Sequence, residues 1–280
     1  MIVGRFWSIL FLMVPVLGVM TIVCAIADIW PMSGGAFAFP RNNWLPENIN
    51  DHGHVIDELF TFILYLTGII FIGTAGALFW FMWKYDAERN SQPVKFVHGS
   101  HNLEIVWSIL PAAILLFIAI YQVKAWADAK INRPTEIIGN REVPQRPLVR
   151  VTGRQFEWTL CYAGADGELG TRDDVHLVND LHIPLDTEVV IQIESEDVLH
   201  SFFLPNLRIK QDVVPGMTQF TWFRANKVGV YDIVCAELCG WGHYKMRGRL
   251  TIESKEKFNK WLARKFEEQE FSGSALDSGE

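Results

Sequence analysis

The first half of the chain contains three long apolar stretches without a charged residue. They are Phe6–Ala27, Leu59–Trp83 and Ile105–Val123, with lengths of 22, 25 and 19 residues. Because an α-helix rises ~1.5 Å per residue, each stretch is long enough to cross a hydrocarbon core of ~30 Å. The second and third stretches therefore predict two transmembrane helices, since charge-free runs of this length are unusual inside soluble proteins.

The first stretch allows two interpretations. Arg5 precedes it, and its end, Ala25-Ile26-Ala27, resembles the A-x-A cleavage site of a secretory signal. Its length exceeds the ~7–15 residues typical of the apolar part of such a signal. The length favours a retained helix, and the cleaved signal stays open as the alternative.

Flanking charges predict the orientation of the helices. Lys84, Arg89 and Lys95 follow the second stretch, whereas acidic residues precede it: Glu47, Asp51, Asp57 and Glu58. Basic loops stay on the cytoplasmic side of a membrane. The chain after about Lys124 is therefore predicted to be exported.

From Leu148 onward the pattern changes to short runs of β-branched and aromatic residues. These runs are Leu148–Thr152, Glu188–Ile193, Gln219–Phe223, Tyr231–Val234 and Arg249–Ile252. Gly, Pro and Asp separate them, which is typical of a β-sandwich or β-barrel. Pro134–Pro147 is interpreted as a connector, because it is polar and interrupted by Pro and Gly.

The chain is thus predicted to have four parts. They are an apolar helix with an exported loop (1–50), a transmembrane helical hairpin (51–133), an exported β domain (134–254), and a C-terminal helix and tail (255–280). Lys255–Glu268 has apolar residues at helical spacing, which predicts a helix packed on the β domain. Phe271–Glu280 is expected to be frayed.

Composition excludes several classes of protein. Hydrophobic residues make up 50% of the chain, which is too apolar for a disordered protein. The net charge of −7 argues against a nucleic-acid binder, which would need basic patches. Four cysteines in 280 residues are too few for a disulfide scaffold.

One segment concentrates residues that bind soft metals. Cys235, Cys239, His243 and Met246 lie within 12 residues. Thiolate, imidazole and thioether together favour copper, whereas a structural zinc site would not include Met. A Cys235–Cys239 disulfide is the alternative for an exported domain, but it leaves His243 and Met246 unexplained. His200 offers the second imidazole that a two-metal site needs.

These motifs resemble those of subunit II of the haem–copper cytochrome c oxidases. The matching segments are Val198–Pro205, Asp212–Gly216, Cys235–Met246 and, in the apolar half, Leu103–Ala112. The resemblance extends over roughly Asp51–Leu262. It implies a membrane-anchored α+β protein, in which a transmembrane helical hairpin, with a possible extra first helix, precedes a cupredoxin Greek-key β-sandwich.

The resemblance also implies a binuclear copper A centre. Cys235 and Cys239 would bridge both coppers. His200 and Met246 would complete one copper, and His243 with the backbone carbonyl of Glu237 would complete the other.

Two acidic residues have implied roles beside ordinary ones. The Glu237 side chain would bind magnesium at the contact with subunit I, and its alternative is a solvated loop carboxylate. Glu104 would lie where protons enter subunit I, and its alternative is a helix N-terminal carboxylate favoured by the helix dipole.

The chain departs from the family pattern at Phe156, where the family often has the Trp that first receives electrons. Trp158 and Trp241 are the candidate substitutes, and packing is the alternative role for both. The segment Asp166–Asp174 is rich in oxygen ligands, and a plain hairpin is favoured there over a calcium site because the EF-hand spacing is absent.

The resemblance implies a function for the whole chain. Subunit II of a cytochrome c oxidase accepts electrons from cytochrome c, or from a basic c-type haem domain, and passes them to haem in subunit I, where oxygen is reduced to water with proton pumping. The expected partners are subunit I, subunit III and membrane lipid, and the expected location is a bacterial-type inner membrane with the copper domain on the periplasmic face. Three alternative functions are a lone membrane-tethered electron carrier, a nitric oxide or nitrous oxide reductase, and a quinol oxidase. The quinol oxidase is disfavoured, because that branch of the family lacks the copper ligands.

Overall fold

The computed structural model of the protein describes residues 2–26, 45–86, 98–164 and 166–277, together with Pro93 and Phe96. The exported loop over 27–44, the last residue of the possible cleavage site and the basic residues Arg89 and Lys95 lie outside the described residues. The chain divides into two compact units: Met1–Pro46 with Asp57–Gln122, and Glu47–Ile56 with Val123–Glu280.

The described residues up to Lys130 contain three helices. They are α1 (Ile2–Ile26), α2 (Gly53–Lys84) and α3 (His101–Lys130). Of the described helices, α2 and α3 are long and apolar enough to cross a membrane, and α1 contains a shorter apolar stretch, Ile9–Thr21. Helices α2 and α3 contact each other through aromatic rings, since the Phe62 ring centroid lies 6.2 Å from that of Phe117 and 6.0 Å from that of Tyr121.

The described residues after α3 form twelve strands and a final helix. The strands are β1 (Thr135–Ile138), β2 (Arg141–Pro144), β3 (Val149–Arg154), β4 (Glu157–Tyr162), β5 (Val175–Val178), β6 (Asp180–Pro184), β7 (Glu188–Ser195), β8 (His200–Leu204), β9 (Ile209–Val213), β10 (Gln219–Arg224), β11 (Gly229–Cys235) and β12 (Arg247–Glu253). The helix is α4 (Lys255–Asp277). The five predicted runs coincide with strands, except that β3 begins one residue after Leu148.

Ten of these strands form two five-stranded sheets. Their orders are β10-β7-β3-β4-β5 and β6-β12-β11-β8-β9. Each sheet contains one parallel pair, β3 with β7 and β12 with β6, and its other pairs are antiparallel. The predicted fold class is confirmed: apolar membrane-type helices precede a two-sheet β-sandwich.

Alternating apolar residues build the core between the sheets. In β3, Val149 and Val151 are buried and point the same way, because side chains alternate along a strand. Trp158 of β4 meets Phe202 of β8 edge-on, with ring centroids 5.3 Å apart. This aromatic contact joins the two sheets close to the start of β8, where His200 lies.

The segment predicted as a connector contains a β-hairpin. Strands β1 and β2 pair in register from Thr135 with Pro144 to Ile138 with Arg141. Gly139 has φ +64° in the turn, a conformation that glycine adopts without strain. The sequence pattern concealed this hairpin because both strands are only four residues long.

A short segment before α2 belongs to the β domain. Ile49 is fully buried, its N–H donates to the Asn206 carbonyl at 2.9 Å, and its carbonyl accepts from the Asn226 N–H at 2.9 Å. Asn50 forms an isolated bridge with Ala225. A single buried Ile in a polar stretch carries no periodic signal, so the sequence did not predict this contribution.

Helix α4 packs on the sandwich as predicted but is longer than expected. The Ser254 hydroxyl accepts from the Lys257 N–H at 3.4 Å at its beginning, and buried Phe258 and Trp261 hold it to the domain. The Trp261 ring stacks on His182 at 3.9 Å. The helix continues to Asp277, so residues predicted to be frayed are helical at least to that point.

Gln269 of α4 contacts an exposed strand edge. Strand β5 is the last strand of its sheet. The Gln269 amide accepts from the His176 N–H at 3.1 Å and donates to the Asp174 carbonyl at 2.5 Å. One side chain therefore satisfies two backbone groups that a neighbouring strand would otherwise bind.

Candidate metal centre

Two neighbouring strands supply one side of the site. His200 is the first residue of β8 and Cys235 is the last residue of β11. The strands are antiparallel, with Cys235 opposite Phe202. The Ala236 N–H donates to the Ser201 carbonyl at 3.0 Å, which extends the backbone pairing to the site. We call His200 and Cys235 the strand side.

The loop between β11 and β12 supplies the other side. Cys239, His243 and Met246 lie on it, and we call them the loop side. A short 3-10 helix, His243–Lys245, shapes this loop. Local backbone bonds close it: the His243 N–H donates to the Gly240 carbonyl at 3.1 Å, and the Met246 N–H donates to the His243 carbonyl at 3.2 Å. Gly240 has φ +133°, which residues with a side chain rarely adopt.

The five side chains converge on one small volume. The two sulfurs of Cys235 and Cys239 lie 3.8 Å apart. Cys235 Sγ is 3.9 Å from His200 Nδ1, and Cys239 Sγ is 3.7 Å from both His243 Nδ1 and Met246 Sδ. Cys235 Sγ also lies 3.3 Å from the Glu237 carbonyl oxygen.

Burial separates four of these five donors from water. His200 is fully buried, both cysteines and Met246 are nearly so, and His243 is half-buried. All four cysteines of the chain are free thiols. The sulfur donors and His200 thus face one another away from solvent, and His243 lies at the partly exposed side.

The two thiols differ in acidity. Burial acts to raise the pKa of the Cys235 thiol, but hydrogen bonds with His200 and with the backbone of Ser201 lower that pKa below its ordinary value. Burial and the neighbouring Cys235 raise the pKa of the Cys239 thiol. One shared negative charge on the pair is therefore favoured over two, unless a cation is bound.

The chemistry of this donor set fits a copper pair. Two adjacent thiols, each flanked by an imidazole, with a thioether and a carbonyl oxygen at the rim, provide soft ligands on both sides of the sulfur pair. A closed four-ligand zinc site would leave part of this set unused.

Asp197 orients the His200 ring from outside the cluster. His200 Nε2 donates to Asp197 Oδ1 at 2.8 Å, so Nδ1 is the nitrogen that faces Cys235. The backbone N–H groups of Gln155 and Val198 also donate to this carboxylate, at 2.8 and 2.6 Å. Burial opposes the charge on Asp197, but the hydrogen bond from His200 and those from the backbone lower the pKa of its carboxyl group.

The two candidate tryptophans lie in different environments. Trp158 is fully buried, with its ring centroid 6.0 Å from that of His200. Trp241 is 76% exposed, and its ring meets the Phe156 ring edge-on at 5.1 Å. Lys245 Nζ lies 4.6 Å from the centre of the Trp241 ring. A docking protein can touch Trp241, whereas no surface of Trp158 is available to it.

The two acidic candidates belong to different units of the chain. Glu237 is half-buried in the loop and contributes its carbonyl to the rim. Glu104 lies in the first turn of α3, where its N–H donates to the Ser100 carbonyl at 3.0 Å. This position suits a helix N-terminal carboxylate.

The sequence did not identify Asp197 or Gln155 as parts of the site. The position of Asp197, three residues before His200, was the one available signal, since an acidic residue close to a ligand histidine can bind its second nitrogen. The segment Asp166–Asp174 lies in the connection between antiparallel strands β4 and β5, which agrees with the favoured hairpin.

Comparison with known proteins assigns both parts of the chain to one family. Residues 45–125 match the family model "Cytochrome C oxidase subunit II, transmembrane domain", and residues 148–254 match "Cytochrome C oxidase subunit II, periplasmic domain".

Two relatives in sequence agree with this assignment, and one solved structure is reported beside them. The probable cytochrome c oxidase subunit 2 of Rickettsia prowazekii is 33% identical over 228 residues, which cover 75% of this chain and 69% of that protein. Cytochrome c oxidase subunit 2 of Thermostichus vulcanus is 29% identical over 289 residues, with 84% of each chain covered. The crystal structure of the periplasmic domain of subunit II of cytochrome oxidase of Bradyrhizobium japonicum is 25% identical, covers 45% of this chain and 98% of that chain, and aligns with a TM-score of 0.40.

The apolar helices and the β domain are both matched by the family models, and the relatives span most of the chain at about the same level of identity. The protein is therefore a member of the cytochrome c oxidase subunit II family, anchored in a membrane through its apolar helices.

Proposed function

We propose that this chain is the electron-accepting subunit of a cytochrome c oxidase. It would receive electrons from cytochrome c at a binuclear copper A centre and deliver them to haem in subunit I, where oxygen is reduced to water with proton pumping. The observation that carries this proposal is the convergence of two thiols, two imidazoles and a thioether in the sandwich of a chain of this family.

Each donor has a proposed place. Cys235 and Cys239 would bridge the two coppers as thiolates. His200 and Met246 would complete one copper, and His243 with the Glu237 carbonyl would complete the other. When bound, the copper pair supplies a one-electron carrier whose charge two metals share.

The residues of the chain keep this centre fixed and dry. The strand side is held by backbone pairing of β8 with β11, and the loop side by its short turns. Asp197 holds His200 in one orientation. A fixed, water-excluded set of ligands changes little on reduction, which favours rapid electron transfer.

Trp241 is the proposed point where electrons arrive. It is the exposed tryptophan on the metal loop, and it contacts Phe156, which occupies the family's usual position for this role. Trp158 would support the His200 side by packing, because its burial prevents contact with a donor.

Two further roles are proposed for carboxylates. Glu237 would bind magnesium at the contact with subunit I through its side chain. Glu104 would deliver protons toward subunit I from the cytoplasmic end of α3. Glu104→Gln should then slow oxygen reduction in the intact complex with an unchanged copper spectrum, and turnover equal to wild type would leave only its helix-capping role.

The partners and location follow from this role. The chain would assemble with subunit I and subunit III in a bacterial-type inner membrane. Its β domain would face the periplasm and meet cytochrome c or a basic c-type haem domain, since the chain has a net charge of −7.

The test is copper analysis of the full-length chain purified in detergent from its native membrane. Two coppers per chain are expected, with an electron paramagnetic resonance signal shared equally by both nuclei. One copper per chain, or a preference for zinc, would contradict the proposal. A haem-bearing subunit that copurifies supports an oxidase, whereas a chain that purifies alone with two coppers indicates a lone electron carrier.

A further inference from the structure

Gln155 lies between the strand side and the loop side of the centre and bonds toward both. It occupies the turn between β3 and β4. Its backbone N–H donates to Asp197 Oδ2 at 2.8 Å. Its side-chain Nε2 donates to the Cys239 carbonyl oxygen at 2.5 Å. A single residue of a third segment of the chain therefore contacts supports of both sides.

The contact toward the strand side passes through Asp197. The carboxylate accepts from Gln155 through one oxygen and from His200 Nε2 through the other. Because a carboxylate is planar and rigid, fixing one oxygen restrains the other. The turn thereby restrains the orientation of the His200 ring.

The contact toward the loop side is direct and tightly packed. A Cβ atom placed on Gly240 would lie 2.7 Å from Gln155 Nε2, and one placed on Gly242 would lie 2.5 Å from Cγ of the Phe156 ring. These distances are shorter than a van der Waals contact, so only glycine allows the turn to approach the loop this closely. The Gln155 amide thus reaches the backbone of the metal loop without an intervening water.

We infer that Gln155 is a positioning residue that holds Cys239 in register with Cys235 and His200. This inference rests on the proposed copper centre. The sulfur of Cys239 faces three other donors, Cys235, His243 and Met246. A rotation of the Cys239 peptide would change all three distances at once. The hydrogen bond from Gln155 opposes that rotation. An equal sharing of charge between two bound metals would depend on these three distances.

Gln155→Met tests the inference, because methionine keeps the length of the side chain but cannot donate a hydrogen bond. Gln155→Glu is a second variant, since its carboxylate would face the Cys239 carbonyl without a proton to donate. Gln192→Met is the matched control: Gln192 lies on β7 and donates to Glu194 Oε1 at 2.7 Å, without a contact to the centre. All are compared as full-length chains in detergent.

Three quantities are measured: the copper hyperfine pattern, the rate of copper loss to a chelator, and the melting temperature of the copper-free chain. Both Gln155 variants should show unequal copper nuclei and lose copper about 5-fold faster, as expected for one lost hydrogen bond. Gln192→Met should match wild type in the hyperfine pattern and in the rate of copper loss. Melting temperatures of the copper-free Gln155 and Gln192 variants should agree, because the fold itself does not depend on the bond to Cys239.

Failure of the Gln155 inference can be distinguished from failure of the proposed function. If wild type has two equivalent coppers and Gln155→Met matches Gln192→Met in hyperfine pattern and rate of loss, Gln155 has no positioning role and the proposed function stands. A lowered melting temperature with an unchanged hyperfine pattern would also overturn the inference, because it would show a purely structural role. If wild type itself holds no copper pair, the proposed function fails and this inference with it.

Discussion

The strand side and the loop side of the centre each present a thiol and an imidazole, but on different supports, and the loop side adds the Met246 thioether. His200 and Cys235 lie at the ends of paired strands, where the backbone ladder fixes them. Cys239, His243 and Met246 lie on a loop closed by short turns and by contacts with the turn that contains Gln155 and Phe156. The ladder fixes the backbone of the first pair, and the Gln155 turn reaches His200 only through Asp197. The loop backbone, in contrast, is contacted directly by that turn.

This difference teaches where the centre is sensitive. Ladder bonds are cooperative along a strand, so a single side-chain change on the strand side leaves the backbone in place. The loop side depends on close approach between two non-adjacent segments, so small changes in volume displace its ligands. Four comparisons between the two sides test this view.

The largest effect should come from the two cysteines, and it should be equal on both sides. Cys235→Ser and Cys239→Ser should each abolish the shared electron paramagnetic resonance signal, because one thiolate cannot bridge two metals as two thiolates do. Copper analysis of the purified full-length chain measures the loss. The matched control is Cys161→Ser on β4, outside the cluster, which should keep both coppers. Retention of two coppers by either ligand variant would contradict the bridging role.

Adding a methyl group to each side should have unequal effects. A Cβ on Gly242 would lie 2.5 Å from atoms of the Phe156 ring, whereas a Cβ on Gly153 would lie 3.1 Å from atoms of His200 and Trp158. We expect Gly242→Ala to lower the free energy of unfolding by about 2 kcal/mol and Gly153→Ala by about 1 kcal/mol. Denaturant unfolding of the full-length copper-free chain measures both.

A double variant identifies the cause of the lower stability of Gly242→Ala. Phe156→Leu combined with Gly242→Ala should recover part of the loss, because the smaller side chain leaves room for the methyl group. A larger loss for Gly153→Ala than for Gly242→Ala would refute the idea that the loop side is the more sensitive one.

The two tryptophans should differ in electron uptake. Trp241→Phe should slow electron transfer from a basic cytochrome c to the intact complex about fivefold, which corresponds to ~1 kcal/mol for an exposed aromatic contact. Trp158→Phe should change this rate less, because Trp158 is buried beside His200. Stopped-flow reduction of the copper centre measures both, with Phe156→Leu as a reference. Equal rates in wild type and Trp241→Phe would remove Trp241 from the electron path.

The smallest effects should come from surface charges. An acidic residue of β9 and a basic residue of the metal loop should change the association rate in opposite directions. Asp212 of β9 pairs with Lys210 at 3.1 Å, whereas Lys245 lies over Trp241 on the loop. At low salt, Asp212→Asn should slow association with a basic donor about twofold and Lys245→Gln should accelerate it about twofold, since exposed charges are weakly coupled. Both effects should vanish at high salt, where the Debye length is ~3 Å. A salt-independent rate would exclude electrostatic steering.

The sequence predicted those parts of the fold that repeat a pattern. The apolar runs of α2 and α3 and the β-branched residues of β3 and β7 are periodic and long enough to be recognised. Strand β9 was not predicted, because its centre, Lys210-Gln211-Asp212, is polar and gives no apolar run. Ile49 was missed for the same reason, since one apolar residue has no period.

The residues of the site also divide into those that the sequence predicted and those that it did not. Cys235, Cys239, His243 and Met246 are close in sequence, so their spacing exposed the ligand set, and the need for a second imidazole in a two-metal site indicated His200. Gln155 lies far along the chain from Cys239, and its contribution is a hydrogen bond to a backbone carbonyl. No sequence pattern encodes such a bond, because it depends on how two turns meet after the sheets have formed.

The contact of Gln269 with β5 has a consequence for assembly rather than for chemistry. The unpaired edge of a sheet is a template on which a strand from another molecule can add. By supplying its amide to the His176 N–H and the Asp174 carbonyl, Gln269 occupies two of the hydrogen-bonding positions that a foreign strand would use. Helix α4 therefore shields part of the β5 edge from strand addition by another molecule.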